Sequence, residues 1–309
     1  MRTLFFLLYT LGMLSLNACG QPALAPAPPN DTTVQFSEPV DRGALDNPEI
    51  VEASGLVASR KNAPALWTHN DSGGQPKVYL ISDSGKTQAT YVLAGVTSRD
   101  WEDIAIGPGP EEGETYVYVG EIGDNDAQYP VKKIYRFIEP TASERTVVDT
   151  IWQVDVLSVA YPDGARDAET LLVDPFTKDV YILSKRERFV GIYRAPFPQR
   201  TDELDTLEKV GQVPREQVGI LEQLVGGDIS PDGKGVLLKS YIKVFYWHRD
   251  NEQVSIVELL QREPQSLPYR PEPQGEAIGF ASDGSGYFTL SERQSGLEPH
   301  LYFYARVSP

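Results

Sequence analysis

Five short segments of the chain carry residues whose types and spacing could bind a cation. Each places a small or acidic residue two positions before an aliphatic one, and the aliphatic residues are Leu56, Ile104, Leu171, Ile229 and Ile278. With these in register, one position is shared by Ser54, Glu102, Glu169, Gly227 and Glu276. A position that recurs around a closed repeat protein converges on its axis. Three carboxylates on one axis repel each other unless a cation compensates them, so the spacing predicts a cation site.

The donor atoms of this set are all oxygens, which favours calcium. Calcium takes roughly six to eight oxygen ligands, and the three glutamates together with the Ser54 hydroxyl would supply four of them. In the fourth segment the shared position falls on Gly227, so Asp228, one residue later, is the candidate ligand there. The His and Cys clusters that zinc prefers are missing from the sequence. The alternatives are another cation, a water cluster, or side chains that accept hydrogen bonds from backbone amides.

Three further residues could perform phosphate chemistry beside a cation. Lys185 and Lys239 occupy comparable places in the sequences LSK and LLK, where they could stabilise charge on a phosphate. His69 lies in the polar sequence THNDSG and could exchange protons near neutral pH. We take these three as candidate catalytic residues. Lysines that flank strands at the surface, and a polar histidine in a turn, are the ordinary alternatives.

Each of the five segments opens a similar series of strand-like runs that would position these residues. The runs are rich in Val, Ile, Tyr and Phe, and turn sequences such as Ser230-Pro231-Asp232-Gly233 separate them. The runs TVVDTIWQVDVL and VSIVELL are expected as the fourth strands of the second and fourth units. Four strands per unit, with units spaced roughly 50 to 70 residues apart, are typical of a β-propeller.

The fifth unit lacks its outermost strand, whereas the segment Thr32–Val40 precedes the first unit and has no partner. This segment is expected to complete the last blade. We therefore predict an all-β fold, a five-bladed β-propeller spanning residues 32–309 as one domain, closed by an N-terminal strand. A two-sheet sandwich is the competing fold, but it does not explain a position repeated once per four strands.

The N-terminal residues predict export rather than folded structure. Arg2 precedes the apolar stretch Leu4–Leu16, which is too short to span a bilayer. Leu16-Asn17-Ala18-Cys19 then resembles the lipobox of bacterial lipoproteins. We expect a signal peptide over residues 1–18, lipid attachment at Cys19, and a Pro/Ala-rich tether over residues 19–31. The expected location is the extracytoplasmic side of a bacterial envelope, on the outer membrane where one exists; an ordinary signal peptide is the alternative.

The formal net charge of −16 at pH 7 argues against nucleic acid as a partner, because a phosphate backbone would be repelled. The expected partners are the membrane, through the lipid, and an anionic small molecule or a protein on the channel face. We expect a monomer. With a single cysteine the chain forms no internal disulfide, so packing and a metal ion must stabilise it.

The order Ser, Glu, Glu, small residue, Glu resembles that of the calcium-activated nucleotidase (apyrase) propellers. The closest local matches are EASGL at Glu52–Leu56, WEDIAIG at Trp101–Gly107 and GEAI at Gly275–Ile278. The chain is also similar to the phytase-like and SdiA-regulated groups of bacterial propellers. In the nucleotidase family, Ser and Glu side chains from the five blades surround a calcium ion in the central channel.

This resemblance implies Ca2+ as cofactor and a calcium-dependent phosphohydrolase acting on nucleotides or other phosphoesters. The alternative is a non-catalytic binding or scaffold propeller of the envelope, in which the cation is structural. Gly227 departs from the family pattern, which has Ser at that position.

Overall fold

The computed structural model describes residues 34–143, 147–214, 223–294 and 296–307. The predicted signal peptide, Cys19 and the tether lie outside these ranges. Within them the chain forms β-strands almost throughout, with one short helix at Ile256–Leu260. None of the described helices combines the length and the apolar character needed to cross a membrane.

The strands form five sheets arranged as the blades of a β-propeller. From the inside outward, blade 1 contains Ala53–Ala58, Leu66–Asn70, Lys77–Ile81 and Thr87–Leu93. Blade 2 contains Asp103–Pro108, Thr115–Glu121, Lys132–Ile138 and Asp155–Ala160. Each of these two blades carries a fifth, parallel strand at its outer edge, Val147–Ile151 on blade 1 and Leu204–Thr206 on blade 2.

The other three blades each have four antiparallel strands. Blade 3 contains Ala168–Val173, Val180–Ser184, Gly191–Ala195 and Glu208–Gln212. Blade 4 contains Leu224–Ile229, Gly235–Ser240, Val244–His248 and Gln265–Leu267. Blade 5 contains Ala277–Phe280, Gly286–Leu290, His300–Ala305 and, as its outer strand, Val40–Ala44. The prediction of a five-bladed propeller closed by an N-terminal strand is therefore confirmed.

The core is distributed between the blades rather than gathered in one centre. Five apolar clusters each lie between two neighbouring sheets, so every blade buries both faces. The inner strand of each blade contacts those of the blades on either side, and this ring of contacts closes between blades 5 and 1. Residues at the start of the inner strands consequently surround one central channel.

Three details of the strand prediction are corrected. The closing strand begins at Val40, because Pro39 has no amide N–H to continue the ladder; before it, only Phe36 forms a bridge, to Arg306. TVVDTIWQVDVL contains two strands, which belong to blades 1 and 2. VSIVELL contains the helix instead of a strand, since Ser255 and Glu258 form a capping box at its N-terminus.

Candidate metal centre

Three glutamates from three different blades meet in the central channel. Glu102 immediately precedes the inner strand of blade 2, Glu169 lies in that of blade 3, and Glu276 immediately precedes that of blade 5. One carboxylate oxygen from each lies within 4.8 Å of the others, and all three residues are buried. Blades 2 and 5 are not neighbours, so their side chains can meet only across the channel. We call these three residues the glutamate cluster.

Ser54 joins the glutamate cluster from the inner strand of blade 1. Its hydroxyl can donate a hydrogen bond to the backbone oxygen of Glu102, at 2.5 Å, or to Oε2 of Glu276, at 3.3 Å. Four of the five residues that share the repeated sequence position are thus placed as they would be around a common ligand.

Lys185 and Tyr241 also contact the glutamate cluster. The Lys185 ammonium donates to Oε1 of Glu169 and, at 3.1 Å, to the hydroxyl of Tyr241. Tyr241 in turn donates to Oε1 of Glu276 at 2.7 Å. The Lys185 side chain is 2% exposed, so one positive charge is buried among the three carboxylates. Tyr241 was not predicted from the sequence, although it directly follows the second strand of blade 4, as Lys185 follows the second strand of blade 3.

Two of the three carboxylates, Glu102 and Glu169, resist ionisation in the folded protein. Burial, and then the neighbouring carboxylates, raise the pKa of Glu102 well above its usual range. Burial raises the pKa of Glu169 to about 8, although the Lys185 ammonium acts in the opposite direction. A divalent cation between the carboxylates would favour their ionised forms and reverse these shifts.

One oxygen of the glutamate cluster has no partner. Oε2 of Glu169 is buried and accepts no hydrogen bond from any residue in the described part of the chain. A buried carboxylate oxygen left in this way is energetically costly. The donor set consists of carboxylates and a hydroxyl, which is the chemistry that hard divalent cations such as calcium prefer. The residues present therefore fit such an ion.

The structure places Asp228 outside the glutamate cluster. Its Oδ1 accepts from the amide of Ile229 and its Oδ2 from the amide of Phe280 in blade 5, both at 2.8 Å. Asp228 thus links blades 4 and 5. Gly227, at the repeated position, has no side chain, and a Cβ there would lie 2.8 Å from the backbone oxygen of Leu237.

Lys239 is fully buried but does not contact the glutamate cluster as Lys185 does. Its ammonium donates to the backbone oxygens of Gly275 and, at 3.2 Å, Ser240, and it lies 4.5 Å from the centre of the Tyr269 ring. Burial lowers its pKa to about 7. These contacts occupy the ammonium inside the protein.

His69 lies in the second strand of blade 1 and not in a turn. The side chain is fully buried; its Nδ1 donates to the backbone oxygen of Asn70 at 3.0 Å, and Nε2 has no hydrogen-bond partner among the described residues. Burial lowers the pKa of His69 to about 4, so the ring is neutral at pH 7. Its ring packs edge-on against Trp101, which assigns His69 to the core between blades 1 and 2.

A second group of carboxylates adjoins the first. Oxygens of Asp71, Asp100 and Glu102 lie within 4.8 Å of one another, so Glu102 belongs to both groups. Asp71 lies in the polar sequence THNDSG but was not predicted as a ligand. The repeated spacing does not reveal this group, because Asp71 and Asp100 lie outside the inner strands.

Comparisons with known proteins add little to this description. No family model and no curated protein matches the chain. Among solved structures it is similar to the WD40 domain of Neurospora crassa Pan2, with 9% identity, a TM-score of 0.44, and coverage of 91% of this chain and 98% of that chain. It is also similar to an auxiliary nutrient binding protein from Bacteroides thetaiotaomicron, with 9% identity, a TM-score of 0.45, and coverage of 83% and 70%. The chain is a five-bladed β-propeller with buried carboxylates in its channel.

Proposed function

We propose that the protein is a cation-binding propeller whose channel holds one calcium ion on Glu102, Glu169, Glu276 and Ser54. The observation that carries this proposal is the buried, unpartnered Oε2 of Glu169 within a group of three converging carboxylates. With all three carboxylates ionised, the single ammonium of Lys185 would leave two negative charges uncompensated. A divalent cation would complete the balance and satisfy the free oxygen.

The proposed role of the ion is to stabilise the ring. Its ligands come from blades 1, 2, 3 and 5, so the ion would connect four sheets in addition to their apolar contacts, interblade hydrogen bonds and ion pairs. Of the three candidate catalytic residues, Lys239 and His69 are buried and engaged elsewhere. This distribution favours a binding or scaffold propeller.

The test is calcium binding to the purified full-length chain, measured by isothermal titration calorimetry and thermal unfolding against magnesium and zinc. At a calcium concentration 100 times Kd, we expect about 2.7 kcal/mol of stabilisation, equivalent to roughly 5–10 °C in Tm. Glu169→Gln should abolish the shift, whereas Glu112→Gln, an exposed carboxylate in the turn at the other end of the inner strand of blade 2, should keep it. Equal calcium responses in the two variants would contradict the proposal.

A calcium-dependent phosphohydrolase is the second proposal, and Lys185 is the observation that favours it. Its ammonium lies at the glutamate cluster, where it would meet an anionic phosphate bound to the cation. Release of inorganic phosphate from nucleotides and simple phosphoesters, compared in calcium and in EDTA, tests this proposal. Calcium-dependent release that Lys185→Met abolishes would support it. The absence of release in both buffers would contradict it, and cation binding would then be the one proposed function.

Export and lipid attachment at Cys19 are proposed on the sequence alone. Metabolic labelling with a fatty-acid analogue in a bacterial host tests them. Label on the wild-type chain and none on Cys19→Ser is expected, and an unlabelled wild-type chain would contradict the proposal.

A further inference from the structure

The carboxylates beside the glutamate cluster are held in place by backbone contacts. Asp71 directly follows the second strand of blade 1, and Asp100 lies shortly before the inner strand of blade 2. The amide of Trp101 donates to the backbone oxygen of Asp71 at 2.7 Å, and Ser72 forms an isolated β-bridge with Asp100. The proximity of the two carboxylates is therefore built into the junction between blades 1 and 2.

Within the residues that the structure describes, Asp71 and Glu102 lack the donors that normally accompany acids inside a protein, and Asp100 has one long contact. Oδ1 of Asp71 is buried and has no hydrogen-bond partner in the described ranges. Glu102 is only 4% exposed and is surrounded by four other carboxylates. The nearest base, Arg99, approaches Asp100 only to 3.5 Å; its guanidinium donates to the backbone oxygen of Gly123 and lies over the ring of Tyr129.

Gly123 provides the space for two of these carboxylates. A Cβ at this position would collide with Oε1 of Glu102 and lie 2.6 Å from Oδ2 of Asp100. Both oxygens therefore lie in the space that a side chain at position 123 would occupy. The junction keeps two acidic oxygens close together where a side chain would separate them.

The charges leave room for more than one ion. The two groups together contain five carboxylates, Asp71, Asp100, Glu102, Glu169 and Glu276. Lys185 and one divalent cation in the glutamate cluster would supply three positive charges, which leaves two carboxylates with only the 3.5 Å contact from Arg99 to Asp100. A carboxylate that belongs to two groups, as Glu102 does, is the usual bridge between two neighbouring metal ions.

We infer that Asp71, Asp100 and Glu102 form a second site for a divalent cation of the calcium class, adjacent to the central site and sharing Glu102 with it. This inference rests on the proposed function, since the second ion completes the charge balance that the first begins. It extends the proposal from a single structural ion to two ions, one in the central channel and one at the junction of blades 1 and 2.

The test is the number of calcium ions bound per full-length chain, counted by equilibrium dialysis with elemental analysis and by calorimetry. The wild-type chain should bind two ions. Asp71→Asn, which removes a ligand of the second site only, should bind one. Asp126→Asn, at an exposed carboxylate three residues after Gly123, should bind two. Thermal unfolding of each variant shows whether it is folded.

Gly123→Ala is the second variant, because it removes no carboxylate and instead fills the space between Glu102 and Asp100. It should also bind one ion. One ion on the wild-type chain would overturn this inference and leave the proposed function intact, whereas none would overturn both. Two ions on Asp71→Asn and on Gly123→Ala would overturn the assignment to these residues.

Discussion

Two sets of buried carboxylates lie in or immediately before the inner strands but have opposite surroundings. Asp103 and Asp228 form the first set, and the glutamate cluster forms the second. Asp103 and Asp228 each accept two backbone amides, one from the next residue and one from the neighbouring blade, at 2.8–2.9 Å. Glu102, one residue before Asp103, instead faces other carboxylates. Successive side chains of a strand point to opposite sides, so a single step along the chain separates a link between blades from a candidate ion ligand. Burial does not distinguish the two sets, whereas their hydrogen-bond donors do.

The largest expected effect removes a carboxylate of the first set. Asp228→Ala leaves the buried amides of Ile229 and Phe280 without an acceptor, and should lower the free energy of unfolding by about 2–5 kcal/mol. Urea unfolding in calcium and in EDTA measures it. The loss should be the same in both buffers, and Asp202→Ala, at an exposed position, should show none of it. A loss that calcium restores would place Asp228 in the second set.

Stability in EDTA should fall as pH rises. Burial raises the pKa of Asp228 in the first set to about 7 and contributes to this slope, but calcium should reverse only the part that comes from the second set. The folded-state pKa of Glu169 is raised from 4.5 to about 8, so the folded chain holds a proton that the unfolded chain releases. This contribution is present below about pH 4.5 and is lost as pH rises toward about 8, by roughly 2–4 kcal/mol. Thermal unfolding between pH 5 and 8 measures the slope. Calcium should rescue stability most at pH 8, and a rescue that is larger at pH 5 would contradict the assignment.

Glu102→Gln should change stability in the direction opposite to Asp228→Ala. Glutamine keeps the shape of the protonated acid but cannot ionise. The variant therefore avoids the cost of keeping the Glu102 carboxyl protonated, or of holding it ionised beside the other carboxylates. The metal-free protein should therefore gain about 1–3 kcal/mol at pH 7, while its calcium response is lost. Chemical unfolding in EDTA, followed by a calcium titration, measures both. A metal-free variant less stable than the wild-type chain would show that Glu102 accepts structural hydrogen bonds after all.

The smallest expected effect concerns Lys185, which supplies a positive charge within the glutamate cluster. Lys185→Met removes a competitor of the cation and should tighten calcium binding by about tenfold, equivalent to roughly 1.4 kcal/mol. Calorimetry measures it, with Lys234→Met as the exposed control. Unchanged or weaker calcium binding would mean that the Lys185 ammonium cooperates with the ion.

The sequence was sufficient to predict the blades and most of the channel residues. Repeated spacing identifies strand starts, and strand starts meet at the axis, so Ser54 and the three glutamates are found together as expected. Asp228 illustrates the limit of this reasoning. When the five segments are aligned on their aliphatic residues, Asp228 is equivalent to Asp103 and not to Glu102. Strict use of this alignment therefore predicts that the Asp228 side chain, like that of Asp103, contacts the neighbouring blade and not the channel ligands.

The two lysines show why the remaining site residues could not be predicted. Ala168 of blade 3 pairs with Ser184, so Lys185 follows the end of its strand, whereas the equivalent Gly226 of blade 4 pairs with Lys239 itself. A difference in the position of a β-bulge produces this shift, which redirects the side chain although LSK and LLK look alike. Asp71 and Asp100 were missed because their proximity depends on contacts between blades.

The closure of blade 5 determines when the channel residues come together. Ser54 and Glu276 share a hydrogen bond although 222 positions separate them in sequence, and blade 5 is completed by a strand from the other end of the chain. Contacts between residues so far apart form late in folding, because the two ends of the long chain segment between them must first come together. The complete set of channel carboxylates therefore exists only in the finished ring, and a partly assembled molecule would present the ion with an incomplete shell.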